Sequence, residues 1–412
     1  MRSRLYLLLG LLLLQSCTEP YALQTETFES ALVIEGTITD EQAFQEIKLS
    51  RTYRLEEDGP DPETGAIVYV TDSNGNQYNF AENSDKYVSQ QEFRAQPGVT
   101  YQLHVTTADG KTYSSTSEKL TSLTSIDEVE VLRGNNSQNE EGLQIFTKST
   151  HLPNASEYYR YKYEETNKVI APHWISYRGI VIPIVPTPQN DPTAYIAMEP
   201  WPYEAKTCYS TESSKEILLN TTSTNTSTTT HFLTRFLKDT DYKIANRYSI
   251  KVTMYNESLA AYNFYDALKK VSSGGSLLSQ HQPGFYSGNI KNTANPTEKV
   301  IGFFDVSHVS SKRIFFNFED YLPNHQKPDY PYYCPEITFT NEKEFKYRYC
   351  FCYGNPTCPE DPICGGFYIL ESVRSRMKAV YRFGTDFIYL TNIQCGDCTA
   401  FSSNIRPTFW ID

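Results

Sequence analysis

The chain has 412 residues, a formal net charge of −12 and 39% apolar residues. That length holds more than one core, the composition is globular, and the acidic balance disfavours sequence-independent nucleic-acid binding, which needs a basic footprint. Tyrosine alone numbers 32, and with abundant Thr and Ser it tilts the chain toward strands.

The chain opens MRSRLYLLLGLLLLQSC. Arg2 and Arg4 form a basic start and Leu5–Leu14 an apolar run, too short to span a bilayer and of the length of a signal-peptide core. Residues 1–16 are therefore read as a signal peptide. Leu14-Gln15-Ser16-Cys17 resembles the bacterial lipobox, which implies that Cys17 is acylated and becomes the first residue of the mature protein. Residues 17–28 then form a lipidated tether, and no later stretch is long and apolar enough to span a membrane. The resemblance implies a Gram-negative envelope. Thr18, rather than Asp, favours the outer membrane and leaves the leaflet open.

Residues 29–122 alternate strongly. Ala31–Ile38, Glu46–Arg51, Gly65–Val70, Gln77–Phe80, Thr100–Val105 and Thr112–Ser115 read as short strands, with a hairpin at Asn74-Gly75. The expectation is an immunoglobulin-like β-sandwich. Residues 123–412 read as a larger β-rich domain, giving an all-β class with one prominent helix. Ile126–Leu132, Glu157–Glu165 and Arg247–Tyr255 are strands, and Pro183–Pro202 is an irregular connection. Thr221–Thr230 is an exposed loop or an edge strand. The helix is placed at 257–271, capped by Asn256 or Ser258, with Leu259, Tyr262, Tyr265 and Leu268 as a packing face. Val300–Val306 and Arg313–Phe318 read as two buried strands. The segment 334–398 is a Cys-rich, stapled region.

Eight cysteines follow Cys17: Cys208, Cys334, Cys350, Cys352, Cys358, Cys364, Cys395 and Cys398. In an exported chain they read as structural disulfides, with connectivity open. Two alternatives exist. Cys395-Gly396-Asp397-Cys398 has redox spacing, but no helical pattern follows it. A zinc site of Cys350, Cys352, Cys395 and Cys398 would need one tighter knuckle than zinc prefers. No hydrolase elbow, phosphate loop, dinucleotide fingerprint or paired-histidine motif is present, so no catalytic residue, metal ligand or cofactor is assigned. A carboxylate pair acting on sugars is not singled out among the many acids. Trp174, Trp201 and Trp410 are available for stacking.

The order of segments resembles a Bacteroidota lipoprotein family, that of the domain of unknown function 4249. The resemblance rests on Val33–Asp40, Ile47–Thr52, Cys208–Glu212, Tyr248–Val252, Ala261–Tyr265, Val300–Phe304, Cys395–Cys398 and Arg406–Trp410. It carries no catalytic residues. It implies a non-enzymatic accessory of a TonB-dependent outer-membrane transporter, with a surface carbohydrate-binding or carbohydrate-cleaving protein as the alternative.

Overall fold

The computed structural model describes residues 30–53, 59–151, 153, 155–183, 194–223, 229–273, 288–339, 365–384 and 387–412. Residues 1–29, with Cys17, and the four cysteines Cys350, Cys352, Cys358 and Cys364 lie outside them. The protein is mainly β, as the alternation indicates.

The first strands are β1 (Leu32–Thr39), β2 (Glu46–Arg51), β3 (Ile67–Asp72), β4 (Gln77–Asn83), β5 (Lys86–Ser89), β6 (Thr100–Thr106), β7 (Thr112–Ser115) and β8 (Glu118–Lys119). β1, β3, β5, β6 and β7 bury alternate residues, because a pleated strand sends successive side chains to opposite faces. Ile34, Ile38, Ile47, Leu49, Val70 and Leu103 meet in one core. The β3–β4 hairpin turns where Asn74-Gly75 predicts it. Asp72 accepts hydrogen bonds from the backbone N–H groups of Asn74 and Asn76, both at 2.9 Å.

The remaining strands are β9 (Ile126–Asn135), β10 (Glu141–Thr150), β11 (Tyr158–Ile170), β12 (Tyr177–Pro183), β13 (Ala194–Pro200), β14 (Thr207–Ser213), β15 (Leu218–Thr221), β16 (Thr229–Lys238), β17 (Arg247–Glu257), β18 (Ile290–Asn292), β19 (Val300–Asn317), β20 (Ile337–Phe339), β21 (Lys378–Phe383) and β22 (Ile388–Asn392). The helices are α1 (Leu259–Ser273), α2 (Phe318–Tyr321), α3 (Gly365–Arg374) and α4 (Ile393–Gly396).

One hydrogen-bonded path runs β14-β11-β17-β19-β1-β2-β5-β4-β3-β6-β7-β18 and so crosses both halves of the protein. Behind β11, β17 and β19 lies a smaller sheet, β16-β10-β9. The two layers enclose a second core in which Tyr159, Tyr161, Ile250 and Met254 face Val131, Leu143, Ile145 and Leu237. A third core joins the β12–β13 ribbon to α3, β21 and β22 through Ile196, Ile369, Val380 and Leu390.

Several sequence expectations change here. Val300–Val306 and Arg313–Phe318 are not two strands but parts of β19. Its first part pairs in parallel with β1 (Leu32↔Val300 to Thr39↔Ser307), and its second pairs antiparallel with β17 (Asn256↔His308 to Arg247↔Asn317). The polar middle, Ser307 to Lys312, interrupts the apolar pattern where the strand changes partners. A boundary at 122/123 leaves out β18 and this first part of β19, although Ile290, Val300, Phe304 and Val306 belong to the first core. The side chain of Asn289 completes that module. Its amide hydrogen-bonds both the N–H and the C=O of Phe304, each at 2.8 Å, in the manner of a backbone group.

Of the expected irregular connection Pro183–Pro202, residues 184–193 lie outside the described residues, and Pro183 and Ala194–Pro200 belong to strands. β12 and β13 pair antiparallel, with Pro183 and Pro200 at strand ends, where a missing N–H is tolerated. Thr229–Thr230 begin the edge strand β16. The helix starts two residues later than predicted, at Leu259, and Ser258 is its cap, accepting from the Ala261 N–H at 3.1 Å.

Gly302 sits where β19 pairs with β1, opposite Ile34. Its φ is +146°, and a methyl group there would lie 2.0 Å from the Ile34 carbonyl oxygen on β1. Gly302→Ala is expected to destabilise the protein by at least about 1–3 kcal/mol from backbone strain alone. A lowered urea midpoint with unchanged slope is the check.

Candidate functional site

A large cavity lies where the two modules share their sheet. It has a volume of about 710 Å³, within the range of roughly 300–1,000 Å³ typical of ligand pockets. Its floor is one sheet face. β1 contributes Val33, Glu35 and Thr37, β11 contributes Arg160 and Lys162, β17 contributes Tyr255 and β19 contributes Phe303. Strand alternation sorts these residues. Tyr159, Tyr161 and Tyr163 point into the second core, whereas Arg160 lies on the opposite face. Helix α1 supplies a wall with Phe264, Tyr265 and Leu268, and Phe44 stands exposed at the rim. The expected packing stripe of α1 is therefore also a cleft wall, and Leu259, read as part of it, is exposed.

Behind the floor sits a buried charge network. Arg160 is 4% exposed and donates to Glu257 Oε1 at 2.5 Å; Glu257 is completely buried. The guanidinium also lies over two rings, 4.4 Å from the centroid of Tyr255 and 4.3 Å from that of Tyr265. Burial disfavours the Arg160 charge, but the Glu257 carboxylate and the two tyrosines outweigh it, and the net effect raises its pKa. Asp305 lies beside them, paired in register with Thr37 and accepting a hydrogen bond from the Ser307 hydroxyl. Burial, and then the neighbouring Glu257 charge, push the Asp305 carboxyl well above the usual carboxylate range. One cation faces two buried carboxyls, so burial and the neighbouring charge favour the protonated form of Asp305, and Glu257 Oε2 has no hydrogen-bond partner among the described residues.

This carboxyl pair does not have glycosidase geometry. A sugar fits between two catalytic carboxyls about 5–9.5 Å apart, whereas Glu257 and Asp305 are both buried and neither lines the cavity. Lys162 does line the cavity and is exposed. The concave surroundings still disfavour its charge, with Arg160 adding repulsion, and its pKa falls below the usual amine range.

The cysteines resolve in part. Cys208 bridges Cys398 and Cys334 bridges Cys395, with Cα separations of 5.8 and 5.7 Å. Cys395 and Cys398 thus staple distant segments rather than each other. That excludes the redox pair, and the zinc site loses two of its four thiolates. Trp410 is buried in ring contact with Tyr209 and Phe315, and Trp174 packs near Ala171 and Cys208. Trp201 lines a second, smaller cavity. Glu141, Asp239 and His325 converge within 4.8 Å, yet the Arg133 guanidinium contacts both Glu141 and His325 and supplies the positive charge there.

Sequence reading missed Arg160, Glu257 and Asp305. The available signals were an Arg inside the Tyr-rich β11 and a lone Asp in the apolar run Val300–Val306.

The family described as a domain of unknown function, DUF4249, matches residues 18–313. The chain belongs to this family. The DUF4249 segment contains both modules that form the cleft and ends inside β19. The segments Cys395–Cys398 and Arg406–Trp410, read from the sequence as part of the resemblance, fall beyond it. No curated protein matches the chain.

Two outcomes follow. Arg160→Met leaves Glu257 buried without its cation and is expected to cost about 3–5 kcal/mol, read from the urea midpoint. For Asp305, the raised native pKa means that the native state binds a proton which the unfolded chain, with an ordinary Asp pKa of about 3.9, has released. Stability is therefore lost as pH rises from about 4 toward the native value. Asp305→Asn is nearly isosteric and removes this titration. Its melting temperature relative to wild type is expected to climb as pH rises above about 4.

Proposed function

We propose that the protein is a non-enzymatic lipoprotein of a Bacteroidota cell envelope, held at the outer membrane through acylated Cys17. There it captures a ligand in the junction cleft as an accessory of a TonB-dependent β-barrel transporter. The observation that carries this reading is the cleft itself: a cavity of about 710 Å³, walled by aromatic side chains, on a floor of hydrogen-bonded strands. Such a floor presents a preformed surface, which lowers the ordering cost of binding. The buried charges beneath the floor neutralise one another, a bias toward holding a surface in place rather than moving protons. The lipobox at Leu14–Cys17 and the polar tether support the anchor.

The exposed ring of Phe44 and the wall of Phe264 and Tyr265 also suit a sugar face, so carbohydrate binding is the second reading. Cleavage has no support from the Glu257–Asp305 pair.

Wild-type protein is expected to label with fatty acid, to fractionate with outer membranes and to co-purify from detergent with a β-barrel. Cys17→Ala is expected to lose the label and the membrane association. Unchanged labelling of Cys17→Ala refutes the anchor, and consistent recovery of the wild type without a barrel refutes the transporter role.

A further inference from the structure

The second cavity differs in kind from the first. It has a volume of about 270 Å³ and lies between the β12–β13 ribbon and the C-terminal β20-β22-β21 unit. Four cationic side chains line it: Arg178, Arg374, Arg376 and Lys378. No acidic side chain does, in a chain whose net charge is −12. Trp201, Tyr203 and the aliphatic surface of Ile180, Val181 and Val380 complete the lining.

The carboxylates that accompany these cations stand outside the lining. Arg178 pairs with Glu199 at 2.5 Å, Arg376 with the buried Asp397 at 2.5 Å and Arg374 with Glu371 at 3.5 Å. Lys378 donates to the Asn392 side-chain oxygen at 2.6 Å and has no carboxylate partner among the described residues. The paired acids thus stay out of the lining, Arg376 also donates to the Tyr203 hydroxyl at 3.2 Å, and each guanidinium has more N–H donors than these contacts use. Asp397 is held in turn by the Thr399 N–H at 2.9 Å and by its hydroxyl at 2.6 Å, so Arg376 is anchored to a rigid point. Gly179 lets the two walls meet. A methyl group there would lie 2.5 Å from a Val380 side-chain carbon, so any larger residue would force β12 away from β21.

We propose that this cavity binds a small oxyanion carried on a ring: a carboxylate or phosphate group held by the guanidinium and ammonium donors, with the ring lying along Trp201 and the aliphatic surface. Guanidinium groups match both anions with paired donors. Aromatic and aliphatic surface beside them suits the face of a sugar or other ring. The volume suits one ring rather than a chain of them. The site is separate from the junction cleft and does not depend on the transporter role.

The test is calorimetric titration of the full chain with sodium glucuronate, glucose 6-phosphate and glucose. Saturable binding of at least one acid, with glucose silent, is expected, and the acid that binds identifies the headgroup. Arg374→Gln and Lys378→Gln, made separately and required to melt at the wild-type temperature, are each expected to weaken that binding at least tenfold. Arg374 has a largely exposed side chain, which keeps the fold check realistic. Silence of both acids at millimolar concentration, equal binding of glucose, or undiminished affinity in both folded variants overturns the proposal.

Discussion

The partner exchange along β19 is the constraint on which the architecture depends. A strand of 18 residues pairs in parallel with β1 and then antiparallel with β17. A loop between two modules would leave their relative position to side-chain contacts. A continuous hydrogen-bonded strand fixes it through the ladder itself, at the spacing of paired strands. The cavity floor inherits that rigidity, since Arg160, Tyr255, Phe303, Thr37 and Glu35 stand on neighbouring strands of one sheet.

Charge follows from that geometry. Continuing the sheet across the junction leaves a face that belongs to neither apolar core, and the chain fills it with polar groups and tyrosines. Buried ions are costly unless paired, and a pair in which one acid retains its proton limits the cost further. Arg160 meets this requirement twice, with Glu257 in the plane of the guanidinium donors and with two rings against its faces. Apolar residues of similar volume would pack as stably. What the polar set adds is direction, since each member has a particular partner. That singles out one arrangement of β1, β11, β17, β19 and α1.

Much of this was legible in the sequence. Period-2 texture placed β1, β2, β6 and β7 nearly at their observed ends, because their apolar residues all face one core. The Asn74-Gly75 turn and the α1 region followed from local chemistry that needs no tertiary context. β19 was harder. Its middle must be polar on both faces where it leaves one core and enters the other, and local periodicity reads such a stretch as a loop. The pairings of Cys208 with Cys398 and Cys334 with Cys395 span 190 and 61 residues, and no local pattern encodes contacts at that range. Arg160, Glu257 and Asp305 are likewise 97 and 48 residues apart in the chain, and only the sheet order brings them together.

The same long-range logic explains why the staples lie where they do. The smaller cavity draws Arg178, Trp201 and Tyr203 from the DUF4249 segment and Arg374, Arg376 and Lys378 from beyond it. Its two halves are about 170 residues apart in sequence, a loop whose closure carries a large entropy cost. The small third core alone offers few apolar contacts to oppose that cost. Cys208–Cys398 attaches the chain terminus to β14, and Cys334–Cys395 ties the segment before β20 to α4. Each bridge removes closure entropy from the unfolded chain, about 4–5 kcal/mol for loops of this size in the chain-entropy account. Asp397 lies between the two bridged cysteines and holds Arg376 at the cavity wall. The covalent frame and the cationic lining are therefore one construction: the bridges fix the backbone that carries the acid, and the acid fixes the cation.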